Sequence, residues 1–368
     1  MYEILFFYLL LFSLLFIFRK NVEKRGILFL FKIKKENIFH LKNKKILKIL
    51  SAIVIFLGFS FLFYAIYFIF SSLIDILTKG YTEKVITLAL PGIKVPGIGR
   101  IPFIEWILSI LILSIIHEFS HAFFIRSFGG KIKSIGVAIL GPLLAGYVEP
   151  VEEEFERMDL FKKLAILFSG SVSNIVSGFL FLFLISSIIY PLYMNTIEIL
   201  PGIRVIRVIE DSPVYLSGMK EGIIIDKVDG IPIKNISQFI EYIKNKTPGS
   251  KVIFYSGNKT FNVIVGNKSG KPYYGFIFTQ NYKIKEGKIF EFNIFKFLYS
   301  FFRILSMLSI GIGFANLLPI FFLDGGKAIY YILRKINEKL AKNILTILSI
   351  ILIFVIIRSI LWNLVQNF

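Results

Sequence analysis

Two histidines and a glutamate share a single helical turn within an apolar stretch: His117-Glu118-Phe119-Ser120-His121, preceded by the run from Trp106 to Ile116. On a helix, positions i and i+4 lie on one face, so both imidazoles can reach one metal ion while Glu118, about 100° round the axis, approaches its open side. The chemistry this permits is metal-assisted hydrolysis. Zinc lowers the pKa of bound water towards neutrality, and a neighbouring carboxylate takes its proton as the water attacks a carbonyl. The chain has 3 histidines, and the remaining one, His40, stands alone in a basic stretch and is given no role. A mutually satisfied polar cluster in a helical core is the plainer alternative. Ionisable groups at membrane depth, however, cost on the order of 2.5 kcal/mol or more for a charge and mark function.

A catalytic zinc takes three protein ligands and keeps a fourth position open. There is no cysteine, so the third ligand has to come from His, Asp or Glu. Glu149 and Glu152 follow His121 by 28 and 31 residues, but they belong to Glu149–Asp159, a stretch with six acidic residues that reads as a solvated loop. The other candidate is Asp324, in Asn316-Leu-Leu-Pro319-Ile-Phe-Phe-Leu-Asp324-Gly325-Gly326. Pro319 breaks the preceding helix, and the paired glycines permit irregular backbone where the aspartate emerges. Such backbone is tolerated at membrane depth only when buried in protein or lining a wet cavity, and a carboxylate there needs a partner.

The elements that must position these groups are membrane helices. Of 368 residues, 55% are hydrophobic and 41 are phenylalanine, with a mean hydropathy of +0.73, outside the range of soluble proteins. Six apolar runs approach or exceed the roughly 20 residues that cross a bilayer: Ile4–Phe18, Leu50–Ile74, Phe103–Ile125, Leu164–Leu192, Phe297–Ile320 and Ile344–Leu361. The first is read as a retained span, since Arg19-Lys20 stands where a signal cleavage site would be. The net charge of +19 is concentrated, with eleven of 43 basic residues between Arg19 and Lys48, between two spans. That clustering fits the positive-inside rule better than a groove for phosphates. If this loop is cytoplasmic, 75–102 and 193–296 lie outside and 126–163 and 321–343 inside.

Pro201 to about Gln280 differs from the rest, being polar, glycine-punctuated and alternating. Ile203–Ile209, Ile223–Val228, Val252–Tyr255, Phe261–Val265 and Tyr274–Phe278 read as strands and Ile236–Lys246 as a helix capped by Ser237. Val208, Asp211-Ser212-Pro213, Ser217-Gly218-Met219, Glu221-Gly222, Ile225 and Val228-Asp229-Gly230 resemble a PDZ domain, with Ile223 departing from the usual aspartate.

Together, His117-Glu118-Phe119-Ser120-His121, Asn316-Leu317-Leu318-Pro319 leading into Leu323-Asp324-Gly325, and the PDZ-like insertion resemble the site-2 protease family of intramembrane metalloproteases. The resemblance covers roughly residues 90–345. It implies one zinc per chain held by His117, His121 and Asp324, with Glu118 as catalytic base. It further implies hydrolysis of peptide bonds within or next to transmembrane segments of other proteins, after an upstream protease has acted first. Motif helices running in opposite directions are also implied. The charge pattern gives both the same direction, so that only their ends approach. Leu140–Val148, with Gly146, resembles the β-element that folds back beside the active site, where an unwound substrate can add as a strand. Ser169-Gly170-Ser171-Val172-Ser173-Asn174 resembles the small-residue motif ending in Asn, with Ser171 in place of the usual proline. Asn174, Asn316 and Gly146 are the candidates for substrate binding or the oxyanion; interhelical bonding is the rival role of Asn174.

The expected fold is an α-helical polytopic membrane protein of about six spans with an inserted α+β PDZ-like domain. Its segments are two N-terminal helices and a basic cytoplasmic loop (1–75), the first half of the core (76–200), the PDZ-like domain (201–280) and the second half (281–368). The expected setting is the cell membrane, multi-pass, with the PDZ-like domain extracytoplasmic. Transmembrane proteins are the substrates, lipids the surroundings, and no nucleic acid is bound. The alternative function is a catalytically inactive membrane scaffold that binds peptides through its PDZ-like domain.

Overall fold

The computed structural model describes residues 13, 22–25, 28–32, 40–79, 89–91, 94–95, 99–140, 143–268 and 270–366. Contacts divide the chain into one unit formed by residues 1–187 with 299–368 and another formed by 188–298.

The first unit opens with strands β1 (Val22–Arg25) and β2 (Leu28–Lys32), followed by helix α1 (Lys44–Lys79). A short hairpin, β3 (Lys94–Val95) and β4 (Gly99–Arg100), precedes α2 (Phe103–Ser127). Strands β5 (Ile132–Leu140) and β6 (Leu143–Pro150), the short α3 (Glu152–Arg157) and α4 (Leu160–Leu184) come next. Beyond a π-helical turn, Ile185–Ile189, α5 (Tyr190–Asn195) already belongs to the second unit, and this part of the first unit ends at Ser187. The unit is completed by α8 (Ile289–Asn316, from Tyr299 onward), α9 (Asp324–Arg334) and α10 (Glu338–Gln366).

Among the described residues, five helical stretches are long and apolar enough to cross a bilayer: Lys44–Asp75, Phe103–Ser127, Leu160–Asn195, Ile289–Asn316 and Glu338–Leu361. They correspond to five of the six expected runs; the first, Ile4–Phe18, lies outside the described residues apart from Ser13. Their facing sides interlock closely. Gly58 of α1 leaves room for the ring of Phe168 on α4, and Gly313 of α8 for Ile175 on α4, where an added Cβ would come within 2.6 Å. Two serines of α8 supply the polar contacts: Ser306 and Ser309 donate to the backbone oxygens of Gly178 and Asn174 at 2.8 Å.

The basic stretch read as a connecting loop contributes β1 and β2 to an antiparallel sheet of order β1-β2-β5-β6, with Phe31 opposite Val137. Strand pairing absorbs the amides that a loop would have to leave to water.

The second unit is built around β7 (Ile197–Val208), paired with β15 (Phe276–Ile284) and with β8 (Ile224–Ile225). After β7 the chain makes a four-residue turn of helix, α6 (Pro213–Leu216). A second sheet has the order β10-β9-β11-β12, formed by Ile231–Pro232, Lys227–Val228, Lys251–Ser256 and Lys259–Ile264. Helix α7 (Ile236–Lys244) is capped by Asn235, whose Oδ1 accepts from the Gln238 amide at 2.9 Å, not by Ser237. Asn235 has the extended backbone that an N-cap requires. A small hairpin, β13 (Gly266–Lys268) and β14 (Lys271–Tyr273), precedes β15. Phe239 and Phe254 are fully buried at the centre, with Ile203, Val205, Ile225 and Val252 around them. The architecture is that of a PDZ-like domain, and its outer strands pair Ile197 with Ile284, four residues beyond 201–280 at each end.

One polar cluster ties α9 to α3 and α4. Glu156 accepts from the hydroxyl of Tyr331 and from Arg334 Nη1 at 3.1 Å, both on α9. The buried Lys163 of α4 approaches the same carboxylate at 3.2 Å and lies 4.4 Å over the Tyr331 ring. Burial pushes the Glu156 carboxyl up, but the hydrogen bonds from Tyr331 and Lys163, with the charges of Lys163 and Arg334, outweigh it and hold it below its ordinary 4.5. A carboxyl depressed by folding adds stability above its unfolded value and loses it as pH falls through the folded one. Glu156→Gln is therefore expected to lower the thermal unfolding midpoint near pH 7, and the gap to wild type to narrow as the pH falls below the ordinary carboxyl value of 4.5.

Candidate metal centre

Helix α2 carries His117 and His121 one turn apart, and His117 is buried. Asp324 arrives from the other end of the unit. Helix α8 stops at Asn316, ahead of Pro319, and the chain turns through 317–323 before Asp324 starts α9. This turn is possible because Gly325 and Gly326 lie against the backbone carbonyls of Leu317 and Ile320, where any Cβ would collide.

The side chains converge. His117 Nε2 and His121 Nε2 stand 3.0 Å apart, and Asp324 Oδ2 is 3.0 Å from the first and 3.2 Å from the second. His121 Nδ1 lies 2.7 Å from the carbonyl oxygen of Ile166 on α4. Its proton belongs there, which leaves the Nε2 lone pair facing Asp324. Among the described residues, Asp324 Oδ2 is itself a buried acceptor with no hydrogen-bond partner. With His117 in the same tautomer as His121, three acceptor atoms face one point, an arrangement that a cation between them satisfies, and a two-nitrogen, one-oxygen set suits zinc. The residues present therefore fit the metal. Their spacings are close to the edge of about 3.3 Å expected of a tetrahedron with zinc–ligand bonds of 2.0–2.1 Å.

Helix α4 closes the site from behind. A Cβ at Gly170 would lie 2.5 Å from His121 Nε2 and 2.7 Å from His117 Nε2. Asn174, one turn on and fully buried, puts its side-chain amide 3.5 Å from His117 Nδ1. One oxygen of Glu118, Oε2, accepts from the Val148 amide of β6 at 2.9 Å. One turn earlier, Ser114 Oγ accepts from the Gly146 amide at 2.7 Å. Both amides belong to an outermost strand of the four-stranded sheet, so this edge is held against α2.

Of the remaining candidates, Gly146 is thus packed on α2, whereas Asn316 is the half-buried last residue of α8. Among the described residues, no hydrogen bond links Asn316 to His117, Glu118, His121 or Asp324. Glu149 is bound to Lys133 at 2.9 Å and to Ser134 at 2.7 Å, and Glu152 is exposed on α3; neither joins the cluster. The sequence reading missed the contact of Gly170 with the imidazoles and the Ile166 carbonyl. The Ser-Gly-Ser run marked the segment, but nothing in it says which helix lies opposite.

A family model described as peptidase family M50 matches residues 105–357, a span that runs from the first turn of α2 into α10. The chain belongs to this family. M50 is the site-2 protease family of metalloproteases, and the apolar helices of this chain fit a multi-pass membrane protein. An uncharacterized protein of Methanocaldococcus jannaschii, MJ0971, is 30% identical over 148 residues, covering 40% of this chain and 38% of that protein. The match thus spans about two-fifths of the relative's length. Among solved structures, the PDZ domain of an SdrC-like protein from Listeria innocua is 29% identical, covering 22% of this chain and 96% of the domain, with a TM-score of 0.20. Its counterpart from Listeria monocytogenes is 28% identical, covering 21% and 86%, with a TM-score of 0.19.

Gly170 gives the site a direct test. Alanine favours a helix, yet its methyl would occupy the space of the imidazole nitrogens. Gly170→Ala is expected to lower the affinity for divalent metal by at least about tenfold, measured by chelator competition, with helicity by circular dichroism unchanged.

Proposed function

We propose that this M50 protein is a zinc endopeptidase that cuts membrane proteins within or next to their transmembrane segments, in regulated intramembrane proteolysis. The observation that carries the reading is the convergence of His117 Nε2, His121 Nε2 and Asp324 Oδ2, which has no hydrogen-bond partner among the described residues. His117, His121 and Asp324 hold one zinc ion. Bound there, zinc supplies Lewis acidity towards the scissile carbonyl and acidifies the attacking water.

Glu118 accepts the proton of that water and passes it to the leaving amine. Its carboxylate is kept on the near side of β6 by the Val148 amide. An extended substrate pairing with β6 must take the Gly146 and Val148 amides over from Ser114 and Glu118. Asn174 acts as a positioning residue rather than an oxyanion donor, since its amide faces Nδ1 of His117, away from Asp324. With the amide turned over, its oxygen accepts the Nδ1 proton, which fixes the tautomer and also satisfies an oxygen that otherwise has no partner.

The charge distribution supports an extracytoplasmic PDZ-like domain at the cell membrane, where it would exclude substrates whose outer parts an upstream protease has not yet trimmed. The competing reading, an inactive scaffold, has no use for a carboxylate beside a metal site. Glu118→Gln is expected to lower cleavage of synthetic transmembrane peptides by at least about 10²-fold with the zinc content unchanged. Asn174→Ala is expected to weaken zinc binding by about 10–100-fold, with Asn174→Asp restoring much of it. Zinc retained without cleavage in wild type would support the scaffold.

A further inference from the structure

A cavity of about 650 Å³ opens between α1, α2, α8 and α10. Its wall includes Ala65 and Phe68 of α1, Trp106 and Ile110 of α2, and Gly311 and Ala315 of α8, so it is almost wholly apolar. Trp106, Ile110 and His117 are separated by four and seven residues and fall on one face of α2. Ile110 is therefore about 10 Å along the axis from His117. The wall on α8 is at the depth of the metal site, because Ser309 bonds the backbone oxygen of Asn174, whose side chain faces His117. The cavity and the proposed site thus lie along one face of α2, with the buried Leu113 between them.

Gly311 is the feature that packing does not explain. The other described glycines inside the membrane helices, Gly58, Gly170, Gly178 and Gly313, are each in close contact: a Cβ would strike Phe168, the two imidazoles, Ile310 and Ile175 respectively. At Gly311 a Cβ would meet nothing within 4 Å, and the position opens on the cavity. A glycine in mid-helix sacrifices helix propensity. Here it gains no internal contact, and with Ala315 one turn on it clears a strip of wall.

We infer that this cavity is the subsite for bulky apolar side chains of the substrate's membrane segment, on the side of the cut nearer the N-terminal end of α2, and that Gly311 and Ala315 keep it open. An extended chain covers 10 Å in about three residues, so the residues received lie about three or more positions from the scissile bond. The inference rests on the protease reading above, and its test separates the two.

The full chain carrying Glu118→Gln is placed in lipid nanodiscs with a photo-crosslinking benzophenone residue in place of Ile312, another residue of the wall. Two synthetic transmembrane peptides are offered, alike except that the central six residues are Leu and Phe in one and Ala in the other. The Leu/Phe peptide is expected to give at least about tenfold more adduct, and Gly311→Leu to remove most of that excess. Ala315→Leu is the second filling variant, and unchanged zinc content reports an intact fold. Equal adduct yields, indifference to both filling variants, or adducts of phospholipid alone with peptide in excess would each overturn the subsite. Wild-type cleavage of the same peptides is scored separately. Selective adducts without any cleavage keep the subsite and remove the protease reading, whereas cleavage without selectivity does the reverse.

Discussion

An aspartate that must sit among apolar helices governs the arrangement of this protein. Asp324 Oδ2 is buried, has no hydrogen-bond partner among the described residues, and lies 3.0 and 3.2 Å from two imidazole nitrogens. An uncompensated charge in that setting costs on the order of 2.5 kcal/mol or more, and only a cation among the three atoms turns the cost into a gain. The neighbouring backbone serves this arrangement. Gly325 and Gly326 bring Asp324 in, Gly170 lets α4 come up behind the imidazoles, and the Ile166 carbonyl fixes one of them. The polar cluster of Glu156, Lys163, Tyr331 and Arg334 then anchors α9 at its far end.

The β-sheet is the second constraint. Its outermost strand donates to Ser114 and Glu118, so the strand that would receive a substrate and the residue that would act as base are already in contact. In the absence of substrate this contact keeps the strand edge satisfied, as an exposed edge in an apolar setting has to be.

The parts legible in the sequence are those whose signal is local. The His-Glu-x-x-His turn announces itself by spacing, five of the spans by length, and the break at Pro319 by chemistry. The strands of the inserted unit follow from alternation. What escaped depends on partners distant in the chain. The stretch from Arg19 to Lys48 reads as a charged loop, because its pairing with β5 lies more than 100 residues away and its lysines obscure the alternation. The cap of α7 was misplaced by two residues, from Asn235 to Ser237, since both are good cap residues and only backbone conformation decides. The contact between Gly170 and the imidazoles, and the placement of Asn174 at Nδ1 of His117, depend on helix packing that spacing alone does not encode.

X-ray absorption at the zinc edge of the purified full-length protein tests the central claim most directly. The account predicts one zinc per chain with two imidazole nitrogens and oxygen ligands at about 2.0–2.2 Å, and an altered oxygen shell in Asp324→Asn with both imidazoles retained. A shell with any other number of imidazoles, or one unchanged by Asp324→Asn, would contradict it.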